Sequence, residues 1–514
     1  MTDFLELDGR TLRLEDVERV AGGDAPEVRL GNAARERVSA ARAFVERIVR
    51  ENRIVYGITT GFGALAEVSI PPERIRELQL NLIRSHAAGV GPPLPVAEVR
   101  ATTLLRANVL ALGHSGVRPV IIERLLALLN LGVTPVVPSL GSVGASGDLA
   151  PLSHLALVLL GEGAALYRGE RMSGAEALRR AGIEPVVLEA KEGLALNNGT
   201  QVHTAIGILA LLRAERAVET AEVAGAMSLE GLRGTPDAFD PLLQRARPQA
   251  GQAVSATRLR VLLHESEIRE SHRHGDPRVQ DAYSLRCMPQ VHGAARQALG
   301  FVRGVLEVEA NSATDNPLVF AAEERVISGG NFHGQPVAQA LDFLAIACAD
   351  LASISERRIA RLIDPALSGL PAFLTRDPGV NSGFMMGQIV AAALVNEAKL
   401  RAQPASTDSI PTDANKEDHV SMGVAAALKA RAAVELLETV LALELMTAAQ
   451  ALEFLKPLRA GAGVDAAYRK LRTAVAPLGT DRVLADDIQV AEGLVRNGTF
   501  AEIWRDVEPG AVPA

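Results

Sequence analysis

Apolar residues recur at helical spacing over most of the chain, and the repeating segments lengthen near residue 204. Before that point, patterns of 3.6 period cover 15–21, 33–50, 73–88, 97–112, 119–130 and 149–161. Behind Pro71-Pro72, residues Ile75, Leu78 and Leu82 form one stripe of the 73–88 helix, and His86 continues it inward. Two stretches read as hairpins: Phe4–Leu7 and Thr11–Leu14 alternate about Asp8-Gly9, and a second turn falls across Tyr167-Arg168-Gly169-Glu170. From 204 the pattern predicts helices over 204–232, 286–311, 335–363, 385–402 and 418–455. Several exceed the usual ~11 to 12 residues more than twofold, so they need apolar neighbours along their whole length. The expected fold is mainly α. A long-helix bundle domain, 204–514, follows a smaller mixed N-terminal domain, 1–203, that carries the loops rich in chemistry.

Composition narrows the partners. The 514 residues are 48% hydrophobic but only 3% aromatic, so Ala, Leu and Val must fill the interior helix to helix. A formal charge of −8, from 53 basic and 61 acidic residues without long single-sign runs, argues against nucleic acid or an anionic membrane as partner and leaves a small molecule. Cys287 and Cys348 are the two cysteines, and no His/Cys spacing resembles a zinc site, so neither a disulfide framework nor a metal is expected. The uncharged run Leu125–Gly147 is broken by Gly132, Pro135, Pro138 and Gly141, which marks buried loops rather than a membrane span. Met1–Leu7 is acidic and unlike a secretory leader, which reads as cytoplasmic. None of the six lysines, Lys191, Lys399, Lys416, Lys429, Lys456 and Lys470, has a setting that suggests pyridoxal phosphate.

The chemistry concentrates in Gly141-Ser142-Val143-Gly144-Ala145-Ser146-Gly147-Asp148-Leu149-Ala150-Pro151-Leu152-Ser153-His154, where the chain turns into an apolar helix that Asp148 can cap. One reading is a tight glycine turn. A second, an anion cradle at a helix N-terminus, lacks both common Gly-rich phosphate motifs. In the third, the Gly147 amide nitrogen approaches the Ala145 carbonyl carbon, closes a five-membered ring and, with loss of the Ser146 hydroxyl, leaves an electrophilic methylene. The stretch resembles the signature of the aromatic amino acid ammonia-lyases, which build 4-methylidene-imidazol-5-one from Ala-Ser-Gly.

That resemblance extends over nearly the whole chain and implies roles for further segments. Tyr56, in Tyr56-Gly57-Ile58-Thr59-Thr60-Gly61-Phe62-Gly63, corresponds to a loop tyrosine poised over the pocket as acid or base. Ser85-His86-Ala87-Ala88-Gly89 matches the side-chain selector and is similar to the histidine-specific members, so His86 reads an imidazole. Asn198, in Asn198-Gly199-Thr200-Gln201, lies near the prosthetic group. In Val279-Gln280-Asp281-Ala282-Tyr283-Ser284-Leu285-Arg286-Cys287 the resemblance implies that Gln280 lines the group, Tyr283 is catalytic and Arg286 grips the substrate carboxylate. Tyr283 and Arg286 also fall on one face of a helix start. Phe332, in Ser328-Gly329-Gly330-Asn331-Phe332-His333-Gly334, packs at the group. Ser409–Met422 reads as the acidic opening of the longest helix, where a dipole alone favours carboxylates, and within it Glu417 is a base or imidazole partner. Lys416 departs from the glutamine of many histidine-specific members, and a cation there would make Glu417 a poorer base.

The implied activity is deamination of L-histidine to trans-urocanate and ammonia. No side chain with a pKa up to about 10 removes a proton from an unactivated β-carbon unaided, so an electrophile must share the work. Ala145, Ser146 and Gly147 would form it, Asp148 would assist its cyclisation, and Tyr56, Glu417 and Tyr283 compete as the base. Whether the substrate amine or the imidazole ring meets the electrophile stays open. Family sites draw on three subunits, which implies a homotetramer. Sibling activities, a tyrosine or phenylalanine lyase or an aminomutase, are the nearest alternative. The fumarase group is a remote alternative, because its S-S-x-M-P-x-K-x-N loop is missing. A non-catalytic helical scaffold would keep its encoded mass.

Overall fold

The structure, a computed structural model, describes residues 4–23 and 26–507. It divides into two compact units, each assembled from separated segments. The first comprises the chain up to Leu209 with Val302–Asp342 and Pro404–Leu428; the second comprises Ala210–Phe301, Phe343–Gln403 and the chain from Lys429 on.

In the first unit the expected hairpin at Asp8-Gly9 is not formed. The Asp8 carboxylate accepts the N–H groups of Arg10 and Thr11 at 2.7 and 2.9 Å, an Asx-type turn that sends the chain into the helix Leu14–Gly22 instead of a return strand. Strand Phe4–Leu7 then pairs in parallel with Glu27–Leu30. Alternation was present in Thr11–Leu14, but local hydrogen bonding to Asp8 decided the backbone path. The second hairpin forms as expected, Ala164–Tyr167 against Glu170–Ser173, with Arg168 and Gly169 both at positive φ (51° and 81°) as a tight primed turn requires.

The apolar stretch before the tripeptide is sheet and loop. Val133–Pro135 joins the edge of that hairpin, and Pro138–Leu140 pairs with Val90–Pro93. Helix Val96–Ala111 behind them is buried nearly throughout and carries Arg106 and Asn108 inward. A core of Phe44, Val45, Ile48, Ile58, Ile75 and Val319 anchors the Tyr56 loop through Ile58.

Long helices span Gln201–Gly231, Met288–Glu309, Gln335–Ile363, Met385–Arg401 and Gly423–Glu453. Among the described residues one helix, Gln335–Ile363, is long and apolar enough to cross a membrane, and 67% of its most apolar window is buried inside the fold. In the second unit the buried Arg358–Glu444 pair is completed by the Ser228 and Ser355 hydroxyls at 2.7 and 2.5 Å, so both charges of the pair have partners.

The last long helix begins later than the pattern predicts. Asp413, Ala414 and Asn415 have φ of 47°, 50° and 67°, Met422 has 55°, and Thr412 and Glu417 face each other as an isolated pair. Four non-glycine residues in the left-handed region exclude a helix there. Glu417 is therefore a loop residue, and the helix-dipole explanation for it falls away.

Candidate active site

The segment Gly141–Asp148 connects strand Pro138–Leu140 to helix Leu149–Leu159. Its last glycine is obligatory: Gly147 has φ +75° and lies against Gly199, where a Cβ would stand 2.2 Å from the Gly199 carbonyl oxygen. The Asp148 N–H donates to that same oxygen at 2.7 Å. Asp148 occupies the N-cap position of Leu149–Leu159, yet its side chain makes no cap hydrogen bond there, contrary to the sequence reading. Its buried carboxylate instead accepts from the backbone of Val202 and His203 at 2.9 and 3.0 Å and lies 2.8 Å from His203 Nδ1. It thus serves the start of a different helix, Gln201–Gly231, and ties the tripeptide to it.

A second loop closes on the tripeptide from Ser409–Met422. Met422 N–H donates to Val143 O at 2.9 Å, Ser421 Oγ to Gly144 O at 3.0 Å, and Ala145 is buried beside Val420 and Met422. Ser146 Oγ donates to Glu417 Oε1 at 2.7 Å, while Thr412 Oγ1 donates to Oε2 at 2.6 Å. Both carboxylate oxygens are thereby fixed, and one points at the Ser146 side chain.

Ala145, Ser146 and Glu417 line a cavity of about 860 Å³ with Tyr56, His86, Asn198, Phe332 and Lys416. The Tyr56 hydroxyl accepts the Gly63 N–H at 3.3 Å, and Ala64 N–H binds the Asp413 carboxylate at 3.0 Å, joining the glycine-rich loop to the Glu417 loop. His86 ends helix Ile75–His86 with Nδ1 2.9 Å from Leu82 O. A carbonyl only accepts, so Nδ1 carries hydrogen and Nε2 is left as the second ring nitrogen. Asn198 Nδ2 donates to Asn316 O at 3.2 Å; its Oδ1 is buried without a partner. Its backbone carbonyl oxygen accepts from Arg106 Nη1 at 2.7 Å, and burial pulls that guanidinium down to about 10. Among the described residues no group of three or more His, Cys, Asp or Glu side chains is placed to hold a metal.

Gln280, Tyr283 and Arg286 belong to the second unit and do not line this cavity. Tyr283–Arg286 is a single helical turn, with the guanidinium carbon 4.6 Å from the tyrosine ring centroid and Tyr283 70% exposed.

Two participants escaped the sequence reading. Thr412 lay within a quoted segment, but nothing in its spacing joins a hydroxyl to Glu417 across the left-handed turn. His203 follows Asn198-Gly199-Thr200-Gln201 by two residues. It is fully buried, and although burial pulls its imidazolium down, the Asp148 charge and hydrogen bond more than offset this and leave its pKa raised. Glu309, on which Thr200 Oγ1 donates at 2.6 Å, is pushed up by burial.

A long-helix fold whose glycine-compressed Ala-Ser-Gly turn faces a tyrosine, a histidine and a glutamate in one cavity is that of the aromatic amino acid lyases: residues 12–473 match this family, and the chain belongs to it. Among relatives, histidine ammonia-lyase of Anaeromyxobacter sp. (strain K) is 58% identical over 504 residues, covering 96% of this chain and 99% of that protein. The solved histidine ammonia-lyase of Trypanosoma cruzi superposes with a TM-score of 0.92 at 44% identity, covering 99% of this chain and 96% of that one. The tyrosine aminomutase of Streptomyces globisporus gives 0.93 at 40% identity, with 98% and 99% covered.

Proposed function

We propose that this protein is a histidine ammonia-lyase, a carbon–nitrogen lyase that converts L-histidine to trans-urocanate and ammonia without oxidation. The observation that carries the reading is the Ser146 hydroxyl on Glu417 in the cavity that His86 also lines. Relatives named histidine ammonia-lyase support the same substrate.

The tripeptide fits the prosthetic group. Gly147 has no room for a Cβ, Ala145 is buried, and the Ser146 hydroxyl faces the cavity. Ala145, Ser146 and Gly147 would hold the 4-methylidene-imidazol-5-one, formed by the chain itself with loss of two waters. When formed, the group supplies an electrophilic carbon that draws electrons from the substrate amine or imidazole. Asn198 and Phe332 line it, and Gln280 joins them from a neighbouring subunit.

His86, with Nδ1 engaged on Leu82 O, presents Nε2 to the substrate imidazole, and Glu417 reads the other side or takes the β-proton. Tyr56 and Tyr283 are the other bases, and Arg286 pairs with the substrate carboxylate. The family resemblance, in which sites draw on three subunits, supports a site shared between subunits of a homotetramer. The net charge of −8 without long single-sign runs supports a small substrate, and the enzyme is read as cytoplasmic because Met1–Leu7 is unlike a secretory leader.

Intact-mass spectrometry and substrate assay test the reading together. The wild-type protein should be two waters lighter than its sequence, Ser146→Ala should carry the encoded mass, and only the former should turn histidine into an ultraviolet-absorbing product. An unmodified but active wild type would overturn it. The likeness to a solved tyrosine aminomutase favours one second reading: tyrosine consumed in preference to histidine, with a β-amino acid as product.

A further inference from the structure

The His203 ring is fully buried where two helix starts close on it. A Cβ on Gly334, next before Gln335–Ile363, would lie 2.6 Å from Nε2, and one on Gly423, first residue of Gly423–Glu453, would lie 2.9 Å from Nδ1. Space filling alone does not account for its polar contacts. Nδ1 is 2.8 Å from Asp148 Oδ1, and that oxygen also accepts Ser142 Oγ at 3.3 Å. Ser142 Oγ in turn accepts the Gly144 N–H at 3.1 Å, and its single hydrogen is shared between Asp148 Oδ1 and the Gly147 carbonyl oxygen, 3.4 Å away. One hydroxyl thus bridges the residue before the tripeptide and the tripeptide's last residue.

We propose that His203 and Ser142 are positioning residues for the backbone cyclisation of Ala145-Ser146-Gly147. His203 fixes the Asp148 carboxylate, the carboxylate directs the Ser142 hydroxyl, and Ser142 draws Gly144 and Gly147 together around the compressed turn. This rests on the reading that the tripeptide becomes the prosthetic group.

The reaction being positioned balances without oxidant or reductant. A bond forms from Gly147 N to the Ala145 carbonyl carbon. The Ala145 oxygen leaves as water with the amide protons of Ser146 and Gly147, placing a C=N bond between Ala145 C and Ser146 N. The Ser146 Cα proton and Cβ hydroxyl leave as the second water. The first step needs the amide nitrogen held against a carbon two residues back, an arrangement a free loop visits rarely, so holding its ends raises the effective concentration. Asp148 N–H on Gly199 O pins the far side at 2.7 Å.

The test is a time course of intact mass on full-length protein made by cell-free synthesis, with thermal melting of each product. In His203→Gln the donor moves from the Nδ1 to the Nε2 position, and in Ser142→Ala the bridge is gone. Each should shed its two waters about tenfold or more slowly than wild type, the loss expected for a hydrogen bond to a charged group. His203→Asn, whose amide nitrogen stands where Nδ1 was, should recover a rate near wild type. Wild-type rates in both His203→Gln and Ser142→Ala would overturn the proposal, as would slowing in all His203 variants that follows lost thermal stability while Ser142→Ala matures normally. Should His203→Gln fail to fold, Ser142→Ala decides. A wild type that never loses water overturns the proposed function itself, and this positioning role with it.

Discussion

Glu417 is held by two hydroxyl donors, Thr412 and Ser146, each on a separate oxygen. Replacing it by Gln keeps the shape and removes the charge. Glu417→Gln should therefore lower kcat by about 10²- to 10⁴-fold, the range of a lost general base, while the intact mass still shows the loss of two waters. Retained activity would remove Glu417 from the list of bases and leave Tyr56 and Tyr283. At His86, one ring nitrogen is spent on Leu82 O, so only the other is free for the substrate. His86→Leu should lower kcat/KM for histidine by about 10- to 100-fold, as expected for one buried hydrogen bond, with little change in melting temperature. Both residues were legible in the sequence because they sit in motifs whose order survives folding. Thr412 was not, since its hydroxyl meets Glu417 only through a turn of left-handed residues that no local pattern announces.

At the scale of elements, loops and helix ends matter more than helix faces. Gly147 combines positive φ with a neighbour's carbonyl oxygen where a Cβ would be. Gly147→Ala should cost the about 1–2 kcal/mol of a left-handed L-residue, add a clash that relaxation must relieve, and leave the tripeptide undehydrated. Denaturant titration and intact mass read the two effects separately. The sequence suggested that Asp148 caps the helix it precedes; in the fold it accepts from the first turn of Gln201–Gly231 instead. Asp148→Ala should accordingly destabilise by more than the about 1 kcal/mol of an ordinary cap, since a buried imidazole and two buried amides lose their acceptor. An effect within that ordinary range would show that water replaces the carboxylate. The long helices were readable from periodicity, because the apolar stripe is both cause and sign of packing, whereas the shorter Ala250–Leu262, Ala462–Arg472 and Leu484–Arg496 were not. The start of Gly423–Glu453 was not, because left-handed residues stopped the helix against the acidic signal.

For the whole molecule, the oligomer and the pH response are the testable properties. If sites are shared between subunits, coexpressing inactive Tyr56→Phe with inactive Arg286→Leu should regain part of the wild-type rate, and sedimentation should give a tetramer; no recovery would place these groups in one subunit's site. In the second unit, burial pushes the Glu230 carboxyl up from 4.5 to about 7, even though the Gly461 N–H donates to both its oxygens at 3.1 and 3.0 Å. The fold thus favours the protonated form, so this contribution is complete below about pH 4.5 and fades as pH rises through 7, by up to about 3 kcal/mol. Glu230→Gln should melt higher than wild type at pH 8 and equal to it near pH 5; parallel melting curves across that range would exclude Glu230 as the source. What the linear chain determined by itself is the helical class, the glycine-rich Ala-Ser-Gly turn and the family, since each depends on residues close in sequence. Tertiary structure alone decided that 302–342 and 404–428 return to the first unit, that Asp148 serves a helix more than fifty residues away, and that Ser146 meets Glu417 across 271 positions. Those contacts require loop closures whose partners are selected by burial and hydrogen-bond satisfaction over the whole fold, and neither leaves a periodic trace along the chain.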